Sequence, residues 1–217
     1  NSRSLSVLSL QGNSILFDAD NIEVFSGLSS LVRLNLARNA IKSIPDGLFK
    51  PMRSLKSLHL DKNNLEGGLG ELAFDGLQTT LANLSLQYTR LKSASSLDFL
   101  AHFESLERLK VGFNQLTRLD LTRLNRRLFS TLTTIDAQNN RIEEIVDGGE
   151  SLTPLESLVE FDLTSNRLCT FSGRVLNKMP KLKNLALGQN PLECDCHLRD
   201  LFTWTRRMYD RDVVGYI

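Results

Sequence analysis

Leucines set the rhythm of this chain. Leu5, Leu8, Leu10, Asn13 and Ile15 stand at offsets 0, 3, 5, 8 and 10, and the same offsets return at Leu31, Leu34, Leu36, Asn39 and Ile41. Further copies begin at Leu55, Leu81, Leu106, Leu132, Leu158 and Leu182, so successive starts lie 26, 24, 26, 25, 26, 26 and 24 residues apart. Self-similarity at a period in the twenties is the signature of a solenoid. Offsets 3 and 5 alternate as one face of a short strand, which predicts Leu34 and Leu36 pointing inward and Asn35 outward. One repeat cannot bury its leucines alone. Stacked neighbours cover them, at roughly 1.5–3 kcal/mol for each fully buried side chain, and their strands align as a parallel sheet.

The offset-8 asparagine is predicted to turn inward after each strand and bond backbone groups of adjacent repeats, which cost about 1–3 kcal/mol each if left unpaired. The fourth repeat carries Thr89 at this position, and a weaker or rearranged turn is expected there. A second apolar column runs along the return segments. Phe25, Phe49, Phe74, Leu100, Leu152 and Leu176 precede the next repeat's first leucine by five to seven residues and read as core.

The pattern LxxLxLxxNxL resembles the leucine-rich repeat family over essentially the whole chain. The resemblance implies an α/β solenoid, a curved horseshoe with a parallel concave sheet and an irregular convex side. Ile44-Pro45 followed by Phe49 is similar to the extracellular 24-residue subclass, and irregular returns such as Glu66-Gly67-Gly68-Leu69-Gly70 resemble receptor ectodomains. The segment Asn190-Pro191-Leu192-Glu193-Cys194-Asp195-Cys196-His197-Leu198, with Leu201 and Trp204, resembles the C-terminal flanking module NPxxCxCxLxxLxxW. This implies eight repeats over 1–189 and a partial cap over 190–217. It also implies a helix laying Leu201 and Trp204 over the core's end, and disulfides at Cys194 and Cys196. Such disulfides belong to an oxidising compartment. No cysteine follows Cys196, so the chain reads as part of a larger ectodomain, with any membrane attachment beyond Ile217. Cys169, alone after Leu168, is expected as a buried thiol. Cys194, Cys196, His197 and Asp200 offer zinc-type donors, but Cys-x-Cys-His is tighter than the usual knuckle spacing and the flanking module accounts for both thiols. No metal or cofactor is expected.

The 217 residues carry a net charge of +1, with 24% charged and 41% hydrophobic, so no global electrostatic pull toward nucleic acid or lipid exists. No apolar run approaches the roughly 20 residues that span a bilayer.

Outward columns on the concave sheet carry the candidate chemistry. Between the second and third leucines stand Ser9, Asn35, His59, Ser85, Lys110, Asp136, Asp162 and Ala186. Just before the asparagine position stand Gly12, Arg38, Lys62, Tyr88, Phe113, Asn139, Ser165 and Gln189. Before the second leucine stand Arg33, Ser57, Asn83, Arg108, Thr134 and Glu160. Exposed aromatics ringed by Arg and Lys have the composition of a binding hot spot. The candidate ligand-binding set is therefore Arg33, Arg38, His59, Lys62, Tyr88, Arg108, Lys110 and Phe113. Asn83-Leu84-Ser85 is a glycosylation sequon on the same face, and a glycan on Asn83 would screen its centre. Arg118, Arg123, Arg126 and Arg127 form a second basic group on the loop between repeats five and six, offering an acidic or heparan sulfate contact or simply a solvated face.

Catalysis finds little support. His59, His102 and His197 lie far apart, none with a nucleophile and orienting acid at motif spacing, and no phosphate-binding loop is present. The reading is an extracellular recognition module without enzymatic activity. Its expected partner is a protein ligand or co-receptor, with room for a homo- or heterodimer, and not nucleic acid. The alternative is an intracellular repeat scaffold or enzyme inhibitor.

Overall fold

The structure is a computed structural model that describes residues 4–18, 23–149, 153–193 and 196–209, with the side chains of 94, 196–198 and 207–209 left aside. Each leucine motif makes one three-residue strand: β1 (Val7–Ser9), β2 (Arg33–Asn35), β3 (Ser57–His59), β4 (Asn83–Ser85), β5 (Arg108–Lys110), β7 (Thr134–Asp136), β9 (Glu160–Asp162) and β10 (Asn184–Ala186). They form one parallel sheet in the order β1-β2-β3-β4-β5-β7-β9-β10. The motif sets the register, for Leu34, Leu58, Leu84, Leu109, Ile135 and Phe161 stand in one row. That row and the flanking leucines, such as Leu31, Leu36, Leu55 and Leu60, are at most 1% exposed. The expected inward and outward alternation is therefore present along the sheet.

The asparagines close each turn as their chemistry requires. Asn140 Nδ2 donates to the carbonyls of Val111 and Ala137 at 3.0 Å, and its Oδ1 accepts the Leu116 N–H at 3.0 Å. Asn63, Asn114, Asn166 and Asn190 make the same pairings one repeat apart. Thr89 breaks the series, and the turn is rearranged as the sequence predicts. Its hydroxyl donates to Leu86 O at 2.7 Å, but it has no amide oxygen to offer the preceding repeat. The Thr89 backbone carbonyl turns in instead and accepts the Leu65 N–H at 2.8 Å. The next residue, Arg90, then adopts φ 65°, a left-handed backbone with no counterpart at the corresponding position elsewhere among the described residues.

Aromatic rings line the return side. Phe25 stacks on Phe49 at 6.2 Å and Phe49 on Phe74 at 6.3 Å, and Phe74 meets Phe99 at 4.7 Å. Leu100 and Leu176 are buried in the same core, while Leu152 lies outside the described residues. A second, two-stranded parallel sheet, β6 (Arg118–Asp120) with β8 (Glu144–Val146), was not anticipated from the irregular returns of repeats five and six. Short helices α1 (Leu128–Thr131) and α2 (Gly173–Asn177) fill neighbouring returns.

Helix α3 (Cys196–Tyr209) packs Leu201 and Trp204 onto the end of the core, at 1% and 8% exposure. It approaches α2 so closely that a Cβ on Gly173 would lie 2.5 Å from Asp200 Cβ and 2.7 Å from its carbonyl carbon. Only glycine fits there. The predicted disulfides cannot be placed, because Cys194 and the Cys196 side chain lie outside the described residues. Cys169 departs from expectation: it is exposed, because the apolar position in its turn is taken by Leu168. Among the described residues no helix is long and apolar enough to cross a membrane, and no group of acidic, cysteine and histidine side chains could hold a metal ion.

Candidate functional site

The inward turn of each asparagine reverses the chain, and the residue before it absorbs the reversal. Arg38, Lys62, Tyr88, Phe113, Asn139, Ser165 and Gln189 all have φ between 52° and 58°, and Gly12 has φ 75°. For a residue with a Cβ this conformation costs roughly 1–2 kcal/mol. The column therefore holds its side chains at fixed, repeating positions along one rim of the sheet. Tyr88 and Phe113 stack there with centroids 4.3 Å apart and planes 10° from parallel. Lys62 Nζ lies 5.0 Å from the centre of the Tyr88 ring. Such an offset pair is worth about 0.5–1.5 kcal/mol and an exposed cation–π contact about 0.5–1 kcal/mol, so together they offset the backbone cost at those positions. Tyr88 is nevertheless 42% exposed. The three side chains form a preformed ledge.

Below the ledge, two cavities share His59, Asp61 and Gln87. One, of about 550 Å³, is flanked by Arg33, Arg108 and Lys110 over a floor of Ser57, Asn83 and Ser85. The other, of about 340 Å³, runs up to Arg38, Lys62 and Tyr88. All eight predicted ligand-binding residues therefore border one continuous groove or its ledge. Ser85 lines the floor of this groove at only 5% exposure, and its hydroxyl donates to Asp61 Oδ1 at 2.5 Å.

Asp61 is the residue that sequence reasoning missed. Burial alone would push its carboxyl up, but the His59 ring, the Ser85 hydroxyl and the Gln87 N–H outweigh that and hold it below the usual carboxylate value. Ser57 Oγ lies 3.2 Å from His59 Nε2, and His59 Nδ1 lies 3.7 Å from Asp61 Oδ2. The i, i+2, i+4 spacing from β3 into the turn that follows it thus aligns Ser, His and Asp on one face. The Ser57 N–H is already given to Val32 O and so is not free to serve as an oxyanion donor. Asp61 and Gln87 occupy the position after the third leucine, a fourth column whose polar residues were the available signal. Gln87 reaches over Gly112 to donate to Asp136 Oδ2 at 2.9 Å, and a Cβ on Gly112 would press on Asp136 Oδ1 at 3.0 Å.

Charge on this face is both unpaired and segregated. Among the described residues Arg33, Arg38, Lys62 and Lys110 have no carboxylate within 4.0 Å, and Arg108 pairs only with Glu107 at 3.6 Å. Three members of the second basic group differ. Arg118 pairs with Glu144, Arg123 with Asp98 and Asp120, and Arg127 with Glu104. Arg108 Nη1 also donates to Asn83 Oδ1 at 3.0 Å, so a glycan on Asn83 would rise from the middle of the sheet.

Known proteins share this build. A family model described as "Leucine rich repeat" matches residues 3–65. Osteomodulin of Rattus norvegicus is 31% identical over 190 residues, covering 86% of this chain and 41% of the relative. Keratocan of Mus musculus is 30% identical over 145 residues, 67% of this chain and 38% of the relative. The chain thus spans about two fifths of the length of these curated relatives. Among solved structures, that of the TLR13–ssRNA13 complex superposes with a TM-score of 0.73 at 28% identity, over 89% of this chain and 26% of that one. With its eight motifs, its parallel sheet and these relatives, the chain belongs to the leucine-rich repeat proteins.

Proposed function

We propose that the chain is an extracellular protein-recognition module of a receptor or adhesion protein, binding a protein ligand or co-receptor through its concave face. The relatives are extracellular matrix proteins, which supports the location. The observation that carries the reading is the ledge of Lys62, Tyr88 and Phe113, an exposed tyrosine stacked on a half-buried phenylalanine and so ordered before any ligand arrives. Rigid aromatics flanked by Arg and Lys are what interface hot spots are made of, because little side-chain entropy is lost on contact.

The test is a display panel of extracellular domains probed with the wild-type chain and with the Tyr88→Ala/Phe113→Ala double variant. Loss of at least about tenfold in affinity, with melting unchanged, supports the face; a change below about twofold in every partner removes it. The location rests on Cys194 and Cys196 being oxidised in the full-length protein, with Asn83 the candidate glycan site. Mass spectrometry of that protein finding free thiols at both cysteines overturns the extracellular assignment in favour of an intracellular scaffold.

A further inference from the structure

We propose that the segment of the partner that seats in the groove is short, acidic and part of a charge-mixed protein surface, and that the far half of the sheet rejects extended polyanions. This rests on the concave-face reading above.

The concave positions over β2–β5 carry five cations, Arg33, Arg38, Lys62, Arg108 and Lys110, against one carboxylate, Asp61. Those over β7, β9 and β10 carry Asp136, Glu160 and Asp162, with no Lys or Arg. The two sets meet without neutralising each other. Lys110 and Asp136 stand opposite in the register, yet they form no ion pair among the described residues. The Asp136 oxygens are taken instead by the Gln87 side chain and the Gln138 N–H. Like charges crowded on one face, four of the five without a carboxylate partner among the described residues, repel one another, and an anionic ligand relieves that repulsion.

The dimensions select the kind of anion. Strands lie about 4.8 Å apart, so β2 to β5 spans about 14 Å. A polyanion crossing the strands outruns this basic stretch and meets the three carboxylates, while one lying along them meets only the two cations of a single strand, such as Arg108 and Lys110. A protein surface can place two or three carboxylates over β2–β5, an apolar side chain on the Tyr88–Phe113 ledge, and a lysine or arginine over β7–β9.

The probes are a peptide with a Glu block joined by a Gly-Ser linker to a Lys block, the Glu block alone, long heparin, and single-stranded RNA, all at about 150 mM salt. The two-block peptide is expected to bind tightest, at least about fivefold above the Glu block. Arg33→Glu/Lys110→Glu should weaken both peptides by about tenfold or more. Glu160→Lys/Asp162→Lys should remove the two-block advantage and raise heparin binding. Heparin or RNA binding the wild-type chain more tightly than the two-block peptide overturns the proposal in favour of a polyanion ligand. Indifference of both peptides to Arg33→Glu/Lys110→Glu overturns it outright. If a protein partner is lost on Tyr88→Ala/Phe113→Ala but unaffected by the charge reversals, the acidic segment is refuted and the concave face survives.

Discussion

Asn140→Ala tests whether the asparagine column or the leucine core holds neighbouring repeats in register. In the structure Asn140 is 8% exposed and bridges two repeats, taking the Leu116 N–H and giving to Val111 O. Alanine orphans both backbone groups where water hardly reaches. At about 1–3 kcal/mol for each unsatisfied group, the expected destabilisation is about 3 kcal/mol. Thr89→Ala is the internal control. There the Leu65 N–H is already held by the Thr89 carbonyl and Asn114 Nδ2 still donates to Leu86 O, so alanine removes only the hydroxyl's contacts with Leu86 O and Asn114 Oδ1, worth about 1 kcal/mol. Urea unfolding followed by circular dichroism measures both, and the slope must be compared as well as the midpoint. A fall in slope for Asn140→Ala would mean that the stack has split into separately melting blocks. If the two variants lose the same stability within about 0.5 kcal/mol, the side-chain bridge is not what aligns the repeats.

Two further outcomes follow from close contacts. Gly173→Ala drives a methyl group into Asp200, so α3 must shift; stability should fall by about 1–3 kcal/mol and Trp204 should become accessible to acrylamide quenching, with unchanged quenching refuting the close docking. Because the Asp61 carboxyl is held below its ordinary value, its charge stabilises the fold above the unfolded value near 4, and that contribution is lost as pH falls through the lower folded value. The stability gap between wild type and Asp61→Asn should therefore be full at neutral pH and narrow below about pH 4, and a gap independent of pH would show that the carboxylate makes no net favourable contacts.

The strands and their register were legible because one periodic signal fixed both. Leu34 and Leu58 cannot shift by a residue without sending a leucine into water. The Thr89 turn was legible too, since the chemistry missing from one side chain had to be supplied by something else. What escaped depended on side chains meeting across strands. Nothing in the spacing of Gln87 and Asp136 announces a bond between residues 49 apart, which exists because Gly112 leaves the gap open. The short sheet of β6 and β8 escaped for a different reason: each strand turns a single residue toward the core, Leu119 in β6 and Ile145 in β8, too short a run for alternation to mark it.

The left-handed turn before each asparagine also restricts what the rim can say to a ligand. Its eight occupants are Gly12, Arg38, Lys62, Tyr88, Phe113, Asn139, Ser165 and Gln189, and none is valine, isoleucine or threonine. A branched Cβ is the feature that backbone tolerates least. The scaffold thus imposes an alphabet on this column before any partner selects among its letters. The rim thus takes side chains unbranched at Cβ, and among these are the long and flat ones that reach outward and stack. A repeat built this way acquires contact residues of the right form as a by-product of closing its own turn.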